Sequence, residues 1–221
     1  MTRLEFEEEL DFVERRVELL FGEVEHAVQR AVTAVVEGDE TLARDTIKHD
    51  DLIDELTLST EEAAIRAIAL QAPVAGDLRY LLSVMTIAGD LERCGDLALR
   101  VAKQVFDREW IGRADHLRAF IRRLGDAALT TLRMSAQAWS DRDGDAYEAI
   151  EESDLAVDAL YADFLDEVGR LQGPRTGEIA VRSHIAAQAL ERIADHAVAI
   201  GHRIRFYVKG EHEGLADEIA P

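Results

Sequence analysis

Eight acidic residues of this chain fall into four pairs with one spacing: Asp50 and Asp54, Glu92 and Asp96, Asp154 and Asp158, Glu191 and Asp195. On a helix, side chains four apart stand side by side, and like charges there repel by about 0.2–0.5 kcal/mol per pair. Carboxylates gathered in number either keep protons, with raised pKa values, or hold cations. Oxygen donors with no thiolate among them suit magnesium, calcium, manganese or iron ahead of copper, with zinc also acceptable. One such pair in so acidic a chain reads as a solvated helix face. Four pairs in a repeated order point to two metal centres, one in each half.

The order is repeated in the letters. DLERCGD (90–96) returns as ALERIAD (189–195), and IKHDDLIDEL (47–56) is echoed by IEESDLAVDAL (150–160). Two residues of an antiparallel hairpin lie at one height when the turn sits midway between them in sequence. The first two pairs centre on 52 and 94, whose midpoint is Pro73; the second two centre on 156 and 193, whose midpoint of 174.5 falls beside Pro174. Four carboxylates are therefore expected at one level of each hairpin, roughly 30 Å from its turn at about 1.5 Å of rise per residue. Apolar neighbours such as Ile47, Ile53, Ile150 and Val157 suggest a groove rim. Arg93 and Arg192, one per site, balance only part of four charges.

The elements that must position these acids are helices. Three prolines occur, and Ala, Leu, Glu, Arg and Asp fill long stretches with apolar residues three and four apart. The pattern predicts helices over about 2–36, 41–70, 74–106, 114–139, 145–171 and 176–208, the first opened by a capping box of Thr2 with Glu5. Its apolar stripe is Leu10, Val13, Val17, Leu20, Val24, Ala27, Val28 and Ala31, and Gly38 with Asp39 closes it. DREWIG (107–112) reads as a connection. The fold class is all-α: two tandem up-and-down three-helix bundles related by an internal repeat, spanning 1–108 and 109–210, with an acidic tail at 211–221.

Bulk composition narrows the partners. Among 221 residues, 25 Lys and Arg face 45 Asp and Glu, a net charge of −20, which argues against broad contact with nucleic acid and favours cations or basic protein surfaces. The one cysteine, Cys94, rules out an intrachain disulfide and a multi-thiolate zinc site. The acidic start MTRLEFEEELDF is unlike a secretory signal, and no apolar run reaches 18 residues, so a cytoplasmic location is expected.

Three further features compete for attention. His196 follows Asp195, but neighbours in sequence point about 100 degrees apart on a helix, which favours packing or hydrogen bonding over ligation. Cys94 turns to the face opposite Glu92 and Asp96 and reads as a small buried thiol. Glu23 and His26 form a Glu-x-x-His, a motif that occurs in pairs in di-iron bundles; the matching level of the second half carries Thr130 and Thr131 instead.

Two long stretches, ALQAPVAGDLRYLLSVMTIAGDLERCGDLALRVAK (69–103) and ALERIADHAVAIGHRI (189–204), resemble the two signatures of the PhoU family of phosphate-uptake regulators. Cys94 and Ala194 depart from the expected spacer residues but remove no acid. The resemblance covers nearly the whole chain. It implies tandem three-helix bundles, a frequent homodimer, and metal centres (iron, manganese, magnesium or zinc) held by the acid-x-x-x-acid motifs: Asp50, Asp54, Glu92 and Asp96 in one, Asp154, Asp158, Glu191 and Asp195 in the other. It also implies a non-enzymatic adaptor that couples the ATPase subunit of a phosphate-specific ABC transporter to a membrane sensor histidine kinase, reaching the membrane through partners only and acting on transcription indirectly. Two other readings stand beside it: a carboxylate-bridged di-metal oxidase or metal store, and a purely structural helical interaction module.

Overall fold

The stripe read from the first helix is buried along its length. In a computed structural model that describes residues 3–106 and 115–210, α1 runs Arg3–Glu37, with Val13, Val17, Leu20, Val24, Ala27, Val28 and Ala31 all buried and Leu10 packed against them. Thr2 of the expected capping box and the connection at 107–112 lie outside the described residues, as do the expected junction at 108–109 and the tail at 211–221. Gly38, at φ 71°, ends α1: the left-handed turn lets the Asp39 N–H reach the Ala34 carbonyl at 2.9 Å. Asp39 then opens α2 (Glu40–Lys48), its Oδ1 accepting from the Thr41 and Leu42 N–H groups.

The helix expected over 41–70 is divided. α2 stops at His49, whose N–H is shared between the Asp45 and Thr46 carbonyls, and α3 (Asp50–Gln71) starts afresh. The break places Asp50 and Asp51 in a first turn, where unsatisfied backbone N–H groups favour negative charge. α4 (Ala75–Ala102) follows the turn around Pro73 and tightens into a 3₁₀ turn at Lys103–Phe106. The second half has α5 (Asp115–Asp141), an unbroken α6 (Tyr147–Gly169) and α7 (Thr176–Lys209).

α5 ends as α1 does. The Asp143 N–H donates to the Ala138 carbonyl at 2.9 Å, with Arg142 at φ 52° in the place of Gly38. An arginine in that conformation costs about 1 kcal/mol or more relative to glycine. Its guanidinium is held by both carboxylate oxygens of Glu14 on α1, at 3.1 and 3.2 Å.

Each half is three principal helices, as expected, yet the halves share one core. α4 packs along α7, α1 along α4 and α5, and α5 along α7; α3 lies on α1 and α4, and α6 on α5 and α7. A continuous set of buried apolar side chains, including Leu20, Leu81, Leu91, Leu132 and Leu190, links both halves. Gly125 lets α5 approach α1 so closely that an added Cβ would stand 2.6 Å from Val32 Cγ2. Among the described residues no helix is long and apolar enough to cross a membrane.

Candidate metal centres

The acid clusters are built on two close helix crossings. Asp50 is the first residue of α3, with Asp54 one turn on, and Glu92 and Asp96 lie on α4. Between them Gly95 meets Ile53: a Cβ built there would stand 3.1 Å from Ile53 Cδ1 and 3.8 Å from Asp50 Oδ1. The missing side chain therefore brings the two backbones together directly beneath the carboxylates. In the second half Ala194 and Val157 hold the corresponding positions, one methyl larger on one helix and one methylene smaller on the other. That exchange of volume accounts for the alanine that departs from the expected spacer.

Both clusters share one pattern of exposure. Asp50, Glu92, Asp154 and Glu191 are half-buried, while Asp54, Asp96, Asp158 and Asp195 are exposed. One acid of each pair leans to the core and the other to water, which makes each cluster the rim expected from sequence. Partial burial first, then Asp54 and Asp96, raise Asp50; burial, then Asp96 and Asp54, raise Glu92. Burial, then Asp158 and Asp195, push Asp154 up to about 6. Glu191 is raised by burial and then by Asp195, Asp158 and Asp154, and Asp195 by burial and then by Asp158. In each half carboxylates of one helix thus act on those of the next.

Basic residues oppose this only in part. Lys103 acts on Asp50, Arg93 on Glu92, Arg192 on Glu191, and His196 followed by Arg192 on Asp195. Arg93 is mostly exposed and bonds Asp90 at 3.1 Å. The clusters offer carboxylate oxygen alone, a donor set for a hard cation. Asp154 Oδ1 is buried without a hydrogen-bond partner, a costly state that a cation would relieve. Among the described residues, no three His, Cys, Asp or Glu side chains converge tightly enough to grip an ion in the arrangement seen. Like charges at this spacing favour rotamers that keep their oxygens apart.

The other singled-out residues behave as their spacing suggested. Cys94 is fully buried, and burial raises its thiol far above the usual range. Its Sγ lies 4.0 Å from the carbonyl of Ile193, the residue at its own position in the other repeat, so α4 and α7 cross on a local two-fold axis. His196 Nδ1 meets Asp90 Oδ1 at 3.2 Å across that seam. On the other side of the axis the corresponding residues are Ala189 and Leu97, both buried and apolar. Sequence reasoning gave His196 a packing or hydrogen-bonding role but missed Asp90, because nothing local shows that α4 faces α7. Glu23 is half-buried and His26 exposed; Thr131, near their level in the other half, is buried and bonds Ser153 Oγ at 2.8 Å.

The comparisons agree with this two-fold build. A family profile described as PhoU domain matches twice, over residues 17–105 and 121–204. The chain belongs to the PhoU family. It is 32% identical over 207 residues to a phosphate-specific transport system accessory protein PhoU homolog of Rhizobium meliloti (strain 1021), covering 93% of this chain and 87% of that one. A homolog of the same description from Pseudomonas putida is 30% identical over 216 residues, covering 96% and 84%. The crystal structure of PhoU from Pseudomonas aeruginosa superimposes with a TM-score of 0.88 at 29% identity, over 93% of this chain and 100% of that one. This PhoU-family chain carries one complete four-acid cluster within each matched segment.

Proposed function

We propose that the chain is a non-enzymatic accessory protein of a phosphate-specific transport system, an adaptor between the transporter and a membrane sensor histidine kinase, with a metal centre in each half. The relatives are named as accessory proteins of phosphate-specific transport systems. The observation that supports the metal-bearing form is the repeated cluster: four carboxylates from two helices, half-buried at Asp50, Glu92, Asp154 and Glu191, whose pKa values are raised by burial and by the neighbouring acids, with Asp154 Oδ1 desolvated and unpaired in the second half. Asp50, Asp54, Glu92 and Asp96 would hold one cation and Asp154, Asp158, Glu191 and Asp195 the other, after the exposed members rotate inward. A bound ion would neutralise charge and supply folding free energy. The side chains themselves fix where it acts: α3 to α4, and α6 to α7.

Clamping those pairs defines the outer faces of α3 and α6. Leu58 and Ile65 on α3 and Leu155 on α6 are exposed there and suit a protein partner. The chain has a single Glu-x-x-His, Glu23 with His26, where a di-iron oxidase uses two. The test is elemental analysis of protein purified without added metal, alongside the double variant Asp50→Asn with Glu92→Gln. Metal content per chain should fall by about half. An unchanged content refutes the assignment of that centre. Recovery of transporter ATPase and histidine kinase by affinity capture, from cells at high and low phosphate, tests the adaptor role, and absence of both under every condition refutes it.

A further inference from the structure

About 18 Å along α4 from Glu92, at about 1.5 Å per residue, the end of the bundle opens into a cleft of about 310 Å³. It is lined by Asp11 and Glu14 of α1, Asp77 and Tyr80 of α4, Arg142 beyond α5, and Tyr207 of α7. It belongs to neither acid cluster. Tyr80 and Tyr207 meet with ring centroids 5.2 Å apart, and Trp139 closes the aromatic group from behind, 5.6 Å from Tyr80 and 5.9 Å from Tyr207. Tyr80 is only 7% exposed, and its hydroxyl has no hydrogen-bond partner. A buried phenol left unpaired at the wall of a cleft is an unfilled demand for a polar ligand.

The charge of the cleft says which kind. With Glu7, four carboxylates surround a single guanidinium, and that guanidinium is engaged by both oxygens of Glu14. An anion would find acids and an occupied arginine. Asp11 and Asp77 are exposed and make no ion pair among the described residues. Aromatic faces beside free carboxylates are what an organic cation requires. A planar guanidinium uses all of these at once: it stacks on a tyrosine ring, forks onto a carboxylate and donates to a phenol oxygen. The chain already sets one guanidinium in this field, because Arg142 acts on both Tyr80 and Tyr207.

We propose that this cleft binds a guanidinium group, presented as an arginine side chain of a partner polypeptide. Asp11 and Asp77 at the rim receive the charge, the Tyr80 hydroxyl accepts one N–H, and the plane lies against the half-buried Tyr207 ring. The net charge of −20 draws basic segments toward the surface, and the cleft supplies the specific contact. The site is independent of the metal centres and of any transporter or kinase, so either reading can fail alone.

The test is NMR titration of the full chain, following the tyrosine rings and the Trp139 indole. The probe is the peptide acetyl-Gly-Gly-Arg-Gly-Gly-amide, with the same peptide carrying citrulline, and spermidine, as comparators. The arginine peptide should saturate these resonances and the neutral citrulline peptide bind at least tenfold more weakly. Asp11→Asn with Asp77→Asn should weaken the arginine peptide at least fivefold, and Tyr80→Phe severalfold, with melting temperatures confirming that both variants fold. Equal binding of the citrulline peptide overturns the proposal, as does unchanged binding by the folded Asp11→Asn, Asp77→Asn variant. Saturation by spermidine with no response to the arginine peptide overturns it in favour of a polyamine site.

Discussion

Gly95 and Ile53 touch across the α3–α4 crossing so closely that a Cβ on Gly95 would stand 3.1 Å from Ile53 Cδ1 and 3.2 Å from Ile53 Cγ2. Ile53 is 2% exposed and has little room to yield. Gly95→Ala gains up to about 1 kcal/mol of helix propensity, and overpacking removes about 1–3 kcal/mol. Ile53→Val makes the space that the second half has at Val157 beside Ala194. A double-mutant cycle by urea denaturation should therefore give a favourable coupling of about 1 kcal/mol between the two changes. Strict additivity would show that the two residues do not compete for the same volume.

Gly125 makes the same point at the seam. An added Cβ would meet Val32 Cγ2 at 2.6 Å and Cγ1 at 2.8 Å, and Val32 is buried with a stiff, β-branched side chain. Gly125→Ala should destabilise by about 1–3 kcal/mol. Because α1 and α5 belong to different repeats and share one core, the loss should appear as one cooperative transition shifted as a whole. Calorimetry showing two transitions, with only the second moved, would mean that the halves unfold independently.

The sequence carried the acid clusters unusually far because their geometry is a matter of parity. Residues equidistant from a turn share a level, and Pro73 and Pro174 mark the turns, so Asp50 with Glu92 and Asp154 with Glu191 could be paired by counting. What counting could not reach is the contact between halves. Asp90 with His196, and Tyr80 with Tyr207, depend on α4 lying antiparallel along α7, and no turn relates those helices directly. Once Cys94 is set against Ile193, both pairs follow from the same register. The break at His49 was equally hidden: no proline or glycine marks it, and apolar spacing continues through it.

Asp90 and His196 form a polar pair where the other side of the local axis has Ala189 and Leu97. Asp90 is 6% exposed, so removing the imidazole leaves a buried carboxylate with, among the described residues, Arg93 alone to serve it. His196→Leu alone should destabilise by about 1–2 kcal/mol, the usual result of leaving one buried partner unsatisfied. His196→Leu with Asp90→Ala reproduces the apolar pair and should recover at least half of that loss. Chemical denaturation at constant pH measures both. A double variant less stable than His196→Leu would show that Asp90 is held chiefly by something other than the imidazole.

Asp154 makes the stability of metal-free protein depend on pH, with a sign opposite to that of a salt-bridged carboxylate. Its folded-state pKa is pushed up to about 6 by burial and by Asp158 and Asp195, whereas an aspartate in the unfolded chain titrates near the ordinary 3.8. Between these values the folded chain binds more protons than the unfolded one, so stability falls as pH rises through the window and levels off above it. Asp50, Glu92, Glu191 and Asp195 are shifted in the same direction and add to the slope. Chelator-treated protein should therefore melt at a higher temperature at pH 5 than at pH 7.5. Asp154→Asn removes one ionisation, so it should raise the melting temperature at pH 7.5, leave it nearly unchanged at pH 4, and flatten the difference. Were the variant less stable than the parent at pH 7.5 in chelator, Asp154 would be a stabilising anion in the folded chain, and the crowding of acids at that helix crossing could not be what a cation is needed to relieve.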